Sequence, residues 1–114
     1  MKIGCDILKV ERIEKILKQK TRVFTVNEIE HCEKYVETNS HYAGLFCAKE
    51  AIIKALDIDN SYKFKYNELE ILHKESGRPY VKFLGDAEKL FKNIKIDISI
   101  SNEKEFAMAT AITY

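Results

Sequence analysis

Three charged side chains stand where a helix should be most apolar. Residues 46–56 read F-C-A-K-E-A-I-I-K-A-L, rich in good helix formers and free of Gly and Pro. Phe46, Cys47, Ala48, Ala51, Ile52, Ile53, Ala55 and Leu56 cover nearly the whole circumference, the pattern of a helix enclosed by protein. Lys49, Glu50 and Lys54 interrupt it. At about 100° per residue they fall within roughly 140° of arc, with Glu50 and Lys54 one turn apart. Charges at the lip of a core helix need partners, because burying one alone is costly. In one reading Glu50 and Lys54 satisfy each other as a surface ion pair of little energetic weight. In the other the carboxylate holds a divalent cation and the lysines hold phosphates. A second carboxylate, Asp6, stands in the N-terminal alternating stretch next to Gly4, whose missing side chain leaves space beside it.

The surrounding pattern predicts the elements that would position these groups. Residues 2–7 alternate as a strand with Ile3, Cys5 and Ile7 inward and Asp6 on the other face. Val10, Ile13, Ile16 and Leu17 predict one amphipathic helix over residues 9–20, whose other face carries Lys9, Arg12, Lys15 and Lys18. That face is basic enough to suit an acidic partner. Thr25 and Glu28 form a capping box opening a helix to about residue 37, with Ile29, Cys32 and Val36 inward. Asn39 or Ser40 caps the next helix, which runs to residue 56, and residues 57–67 read as a loop. Residues 69–74 and 80–83 predict a hairpin turned by Gly77 and Pro79, and residues 86–92 a short helix. The alternating isoleucines of residues 94–101 and the run 106–113 predict a second hairpin. Helices in the first half and hairpins in the second make an α+β chain, an antiparallel sheet packed against helices.

Composition narrows the function. With 114 residues, 46% hydrophobic and 32% charged, the chain suits one domain spanning 1–114. A formal net charge of +1 offers no surplus for a general nucleic-acid binder. No apolar run approaches the roughly 20 residues of a membrane span, and the N-terminus lacks a signal-peptide core. Cys5, Cys32 and Cys47 fit no zinc spacing and read as buried reduced thiols of a cytoplasmic protein.

Four segments taken together, in order, resemble one family: the bacterial holo-(acyl-carrier-protein) synthases, small 4′-phosphopantetheinyl transferases. Gly4-Cys5-Asp6 followed by Arg12 is similar to its first motif. Phe46–Ala55 is similar to its central Phe-x-x-Lys-Glu-Ala-x-x-Lys-Ala, Gly77-Arg78-Pro79 to its turn, and residues 99–107 to its C-terminal hairpin. The resemblance implies Mg²⁺-dependent transfer of phosphopantetheine from coenzyme A to a serine of apo acyl carrier protein, releasing adenosine 3′,5′-bisphosphate, in fatty acid biosynthesis. It implies Asp6 and Glu50 as Mg²⁺ ligands and Lys54 as the cation at the pyrophosphate. The serine proton goes to Glu50 or to a water on the metal, and both readings stay open. Phe46, Lys49, Lys54, Gly77, Arg78, Pro79, Ser101 and Asn102 would face coenzyme A, with Arg12 and Lys15 docking the carrier protein. The family is a homotrimer with active sites between subunits.

Two positions depart from the family pattern. Asn102 stands where a histidine is frequent, so it can donate a hydrogen bond but carries neither charge nor proton. Leu45 stands where many members have an arginine, so one phosphate contact would come from elsewhere, and Lys49 is a candidate for it. A rival reading is a member that binds coenzyme A or carrier protein without transfer. Retention of Asp6, Glu50 and Lys54 argues against it. A second rival, a small nucleic-acid module using the basic first helix, wants a basic balance that the charge does not supply.

Overall fold

The helix α4, Thr38–Leu56, is the element on which the rest packs, in a computed structural model that describes residues 1–59 and 61–114. Twelve of its nineteen residues are buried, as its nearly all-round apolar pattern requires. It stops where Asp57 takes the left-handed conformation at φ 47°, which a short polar side chain tolerates. Its start differs from the expected Asn39 or Ser40 cap. Thr38 opens the helix and bonds back to the Tyr35 carbonyl, while the Ser40 hydroxyl donates to Glu37 O.

Three antiparallel strands lie against α4 in the order β1-β5-β4, with β1 Lys2–Lys9, β4 Ile96–Asn102 and β5 Phe106–Thr113. A separate hairpin pairs β2, Leu69–His73, with β3, Pro79–Phe83, so two sheets take the place of the single one expected. Gly77 turns it at φ +90°, a conformation that favours glycine. The short helix α5, Gly85–Phe91, follows β3, and its Phe91 packs against Tyr62 and Phe64 from the preceding loop.

The face of β1 that meets α4 is the opposite of the one expected. Ile3, Cys5 and Ile7 are exposed, while Gly4 and Leu8 are buried and Asp6 half-buried. Register explains the inversion. Gly4 pairs with Ala111, Asp6 with Ala109 and Leu8 with Ala107, so the helix-facing surface carries little side-chain volume. A Cβ on Gly4 would sit 2.2 Å from Ala51 O and 2.7 Å from Ala55 N. Strand and helix therefore approach to backbone contact, and Asp6 is held against α4. Gly4→Ala is expected to destabilise the fold by about 3 kcal/mol, because the obstacle is backbone and cannot rotate away. A melting curve matching that of the parent protein would rule this out.

The predicted helix over residues 9–20 is broken. Lys9 ends β1, a 3₁₀ turn spans Val10–Arg12, and two short helices follow, α1 Ile13–Leu17 and α2 Lys20–Val23. Gln19, at φ −119° and ψ 41°, separates them. Val10 and Ile13 still face the core, and Arg12, Lys15 and Lys18 still face solvent. The helix α3, Val26–Glu33, carries the expected capping box, with Thr25 Oγ1 accepting from the Glu28 N–H and Glu28 Oε1 accepting from the Thr25 N–H. It ends before Val36, which is fully exposed rather than inward.

Candidate active site

Asp6, from the middle of β1, and Glu50 and Lys54, from the last half of α4, meet where strand and helix touch. Lys54 Nζ donates to the Cys5 carbonyl at 2.9 Å and lies 3.6 Å from Asp6 Oδ1. Lys54 thus pairs with Asp6 and not with Glu50. Glu50 Oε1 accepts instead from the Tyr66 hydroxyl at 2.5 Å. Both carboxylates act on the same two neighbours. Burial first, then the hydrogen bond to Glu50 and the charge of Asp6, push the Tyr66 phenol up, so it stays a proton donor. Burial, Asp6 and Glu50 push the Cys47 thiol up to about 12, leaving it neutral and inert.

Two carboxylates from different elements, with one ammonium beside them, form a hard-oxygen donor set. Mg²⁺ keeps several waters and takes few protein ligands, so Asp6 and Glu50 fit it. Among the described residues no group of three His, Cys, Asp or Glu side chains could hold a metal by itself. The remaining ligands would then be water and substrate oxygens.

Lys49 does not join this site. Its side chain is fully buried, with Nζ 2.7 Å from Glu28 Oε1, 2.7 Å from Val23 O and 3.0 Å from Tyr66 O. All three N–H bonds are used, so none remains for a phosphate. The expected coenzyme A contact is instead a brace that ties α2, α3 and α4 to the Tyr66 backbone.

The other expected site residues are divided between two grooves. Phe46, its ring 5.2 Å from that of Tyr66, walls a groove of about 580 Å³ with Arg12, Lys15 and Lys18. Gly77, Pro79, Asn102 and Leu45 line a different cleft of about 360 Å³. Arg78 and Ser101 are exposed, Ser101 on the side of the sheet away from α4. Cys5 is exposed as well, contrary to the expectation of three buried thiols. The sequence motifs do not single out Tyr66, whose only signal is an aromatic in a polar loop. They also pass over His31, His41 and His73, which line the second cleft.

An α4-centred α+β chain with this carboxylate pair matches one known class. A family model described as the 4′-phosphopantetheinyl transferase superfamily matches residues 2–111. The chain belongs to that superfamily and is an enzyme of its class. It is 39% identical to the holo-[acyl-carrier-protein] synthase of Fusobacterium nucleatum, over 96% of this chain and 95% of that one. The corresponding synthase of Alkaliphilus metalliredigens is 40% identical with the same coverage of both chains. The crystal structure of the Helicobacter pylori holo-[acyl-carrier-protein] synthase in complex with coenzyme A superposes with a TM-score of 0.81 at 29% identity, covering 98% of this chain and 99% of that one.

Proposed function

We propose that the chain is a holo-(acyl-carrier-protein) synthase of the cytoplasm, serving fatty acid biosynthesis and dependent on Mg²⁺. The convergence of Asp6, Glu50 and Lys54 at the β1–α4 contact, in a chain of this superfamily, is the observation that carries the reading. Coenzyme A supplies phosphopantetheine. The serine oxygen of apo acyl carrier protein forms a bond to the β-phosphorus, the phosphoanhydride bond breaks, and adenosine 3′,5′-bisphosphate leaves with the electron pair. Bound by Asp6 and Glu50, Mg²⁺ would supply Lewis-acid stabilisation at the pyrophosphate. Lys54 offsets charge on the same oxygens. The Tyr66 hydroxyl holds one Glu50 oxygen in place, and the serine proton passes to Glu50 or to water. Incubation with apo carrier protein, coenzyme A and Mg²⁺ should add the mass of phosphopantetheine to the carrier. An unmodified carrier protein, with and without Mg²⁺, would exclude the reading.

Acyl carrier protein would dock along the groove between Phe46 and the basic residues Arg12 and Lys15, next to Tyr66 and Glu50. Carrier proteins are acidic, so complementary charge speeds encounter and sets register. Reversing Arg12 and Lys15 to Glu should raise the carrier-protein KM at least tenfold, about 1.4 kcal/mol, with little change for coenzyme A. Added salt should imitate the effect in the native protein. An unchanged carrier KM at low salt would leave these residues with solubility alone.

The same reading includes a homotrimer with active sites between subunits. Ile3, Ile7, Phe106 and Met108 are exposed together on the face of the sheet turned from α4, where Ile7 pairs with Met108. Such a contiguous apolar strip suits burial against further copies of the chain. Sedimentation should give a trimer that Ile7→Asp dissociates. A fully active monomer at micromolar concentration would sink this part.

A further inference from the structure

Glu50 and Lys54 stand one turn apart on α4, with the carboxylate on the N-terminal side. That is the favourable order for an ion pair within a helix. The two side chains nevertheless have separate partners. Lys54 Nζ is drawn toward β1, 2.9 Å from the Cys5 carbonyl oxygen and 3.6 Å from Asp6 Oδ1. Glu50 Oε1 accepts from the Tyr66 hydroxyl at 2.5 Å. The Lys54 side chain is 55% exposed, so it has the freedom to turn toward Glu50 instead.

Tyr66 is itself held from several directions. It opens the 3₁₀ turn Tyr66–Glu68 that leads into β2, and its carbonyl oxygen accepts from the Leu69 N–H. The same oxygen accepts from Lys49 Nζ at 3.0 Å, an ammonium already fixed by Glu28 and the Val23 carbonyl. The Tyr66 ring packs on Phe46, 5.2 Å between centroids. Phe46, Lys49 and Glu50 are positions i, i+3 and i+4 of α4, so one face of one turn grips the residue by ring, backbone and hydroxyl. A hydroxyl anchored in this way is a fixed donor. Being neutral, it also holds the carboxylate without cancelling its charge, which an ammonium would do.

We propose that Tyr66 is a positioning residue that keeps Glu50 apart from Lys54, leaving the carboxylate available to a divalent cation and the ammonium to phosphate oxygens. The roles of those two groups rest on the proposed function. Without the hydroxyl, Glu50 is left beside an ammonium one helical turn away, in the orientation that pairs best. A Glu50–Lys54 pair would occupy both groups at once. Lys54 would then leave Asp6, and the site would hold one free carboxylate where it now offers two.

Tyr66→Phe tests this, since it removes the hydroxyl and keeps the ring packing and both bonds to the carbonyl. Mg²⁺ is titrated into the whole protein, alone and with saturating coenzyme A. Magnetic resonance of the Asp6 and Glu50 carboxyl carbons then reads metal affinity independently of activity. The variant should bind Mg²⁺ at least about fivefold more weakly, within what one hydrogen bond to a charged group supplies. In transfer assays the Mg²⁺ concentration at half-maximal rate should rise by the same factor, with a smaller change in the rate at saturating Mg²⁺. Lys54→Met is the decisive background, because there no ammonium competes for Glu50. In it, Tyr66→Phe should alter Mg²⁺ affinity by less than about twofold. In metal-free protein, Lys54→Met alone should move the Asp6 resonance and leave Glu50 nearly unmoved, whereas combined with Tyr66→Phe it should move Glu50 as well. Unchanged Mg²⁺ affinity in Tyr66→Phe would overturn the proposal. An equal loss in both backgrounds would do the same, since the hydroxyl would then act without regard to Lys54. So would native carboxyl resonances that Mg²⁺ moves neither with nor without coenzyme A. Absence of transfer, with the loss of affinity and its suppression by Lys54→Met intact, would overturn the proposed function and leave the positioning role standing.

Discussion

Glu50→Gln is expected to lower the rate of phosphopantetheine transfer by at least about 10²-fold, the usual cost of removing one preorganised charged group at a reacting centre. The substitution keeps the shape of the side chain and its acceptor for the Tyr66 hydroxyl, 2.5 Å away in the native protein. What it removes is the charge shared with Asp6 across the site. Two anions that both act on Tyr66 and Cys47 repel each other when no cation separates them. The variant should therefore melt at or slightly above the native temperature while losing activity, and that split separates a functional role from a structural one. Mass analysis of the carrier protein and a thermal melt on the same sample check it. A variant transferring at the native rate, at limiting Mg²⁺, would remove Glu50 from the proposed metal site.

Lys49→Met is expected to do the reverse, unfolding the protein far more than it touches chemistry. The Lys49–Glu28 pair has no solvent-exposed side-chain surface and a 2.7 Å contact. Burial pushes the Glu28 carboxyl up and the Lys49 ammonium down, and each partner opposes the shift of the other. The hydrogen bonds decide in favour of the ionised pair. Glu28 accepts from Lys49, the Thr25 N–H and the Ile71 N–H, while Lys49 also donates to Val23 O and Tyr66 O. Removing the lysine alone leaves a buried carboxylate without its cation, at a cost of about 3–5 kcal/mol. For a chain of this length that lowers Tm by more than about 10 °C. Adding Glu28→Gln should recover part of the loss, because the uncompensated charge goes with it. A Lys49→Met protein melting within about 2 °C of the native one would mean that the pair contributes nothing net.

Much of the architecture was legible in short-range pattern. The capping box at Thr25 and Glu28, the long helix through Phe46–Leu56, the Gly77 turn and the β4–β5 hairpin are local events with local causes. The broken helix near Gln19 and the early end of α3 before Val36 were not, since neither carries a Gly or Pro to mark the break. The same holds for the histidine cleft. His31, His41 and His73 are 10 to 42 residues apart in pairs along the chain, and no periodicity joins them.

By itself the sequence determined which residues are apolar, roughly where the long helix and the hairpins run, and which ordered motifs the chain shares with its superfamily. Tertiary structure alone decided which way those elements face. Alternation in β1 is symmetrical between its two faces, and hydrophobicity would bury Ile3 and Ile7. Volume chose otherwise: only the side carrying Gly4, opposite the alanines of β5, lets backbone meet backbone at α4, and that choice delivers Asp6 to Glu50 and Lys54. Lys49 and Lys54 likewise look alike on a helical wheel. One points at Glu28 across a closed core and the other at Asp6 on the rim, because packing distances between elements, absent from any local pattern, fix the partner of each charge.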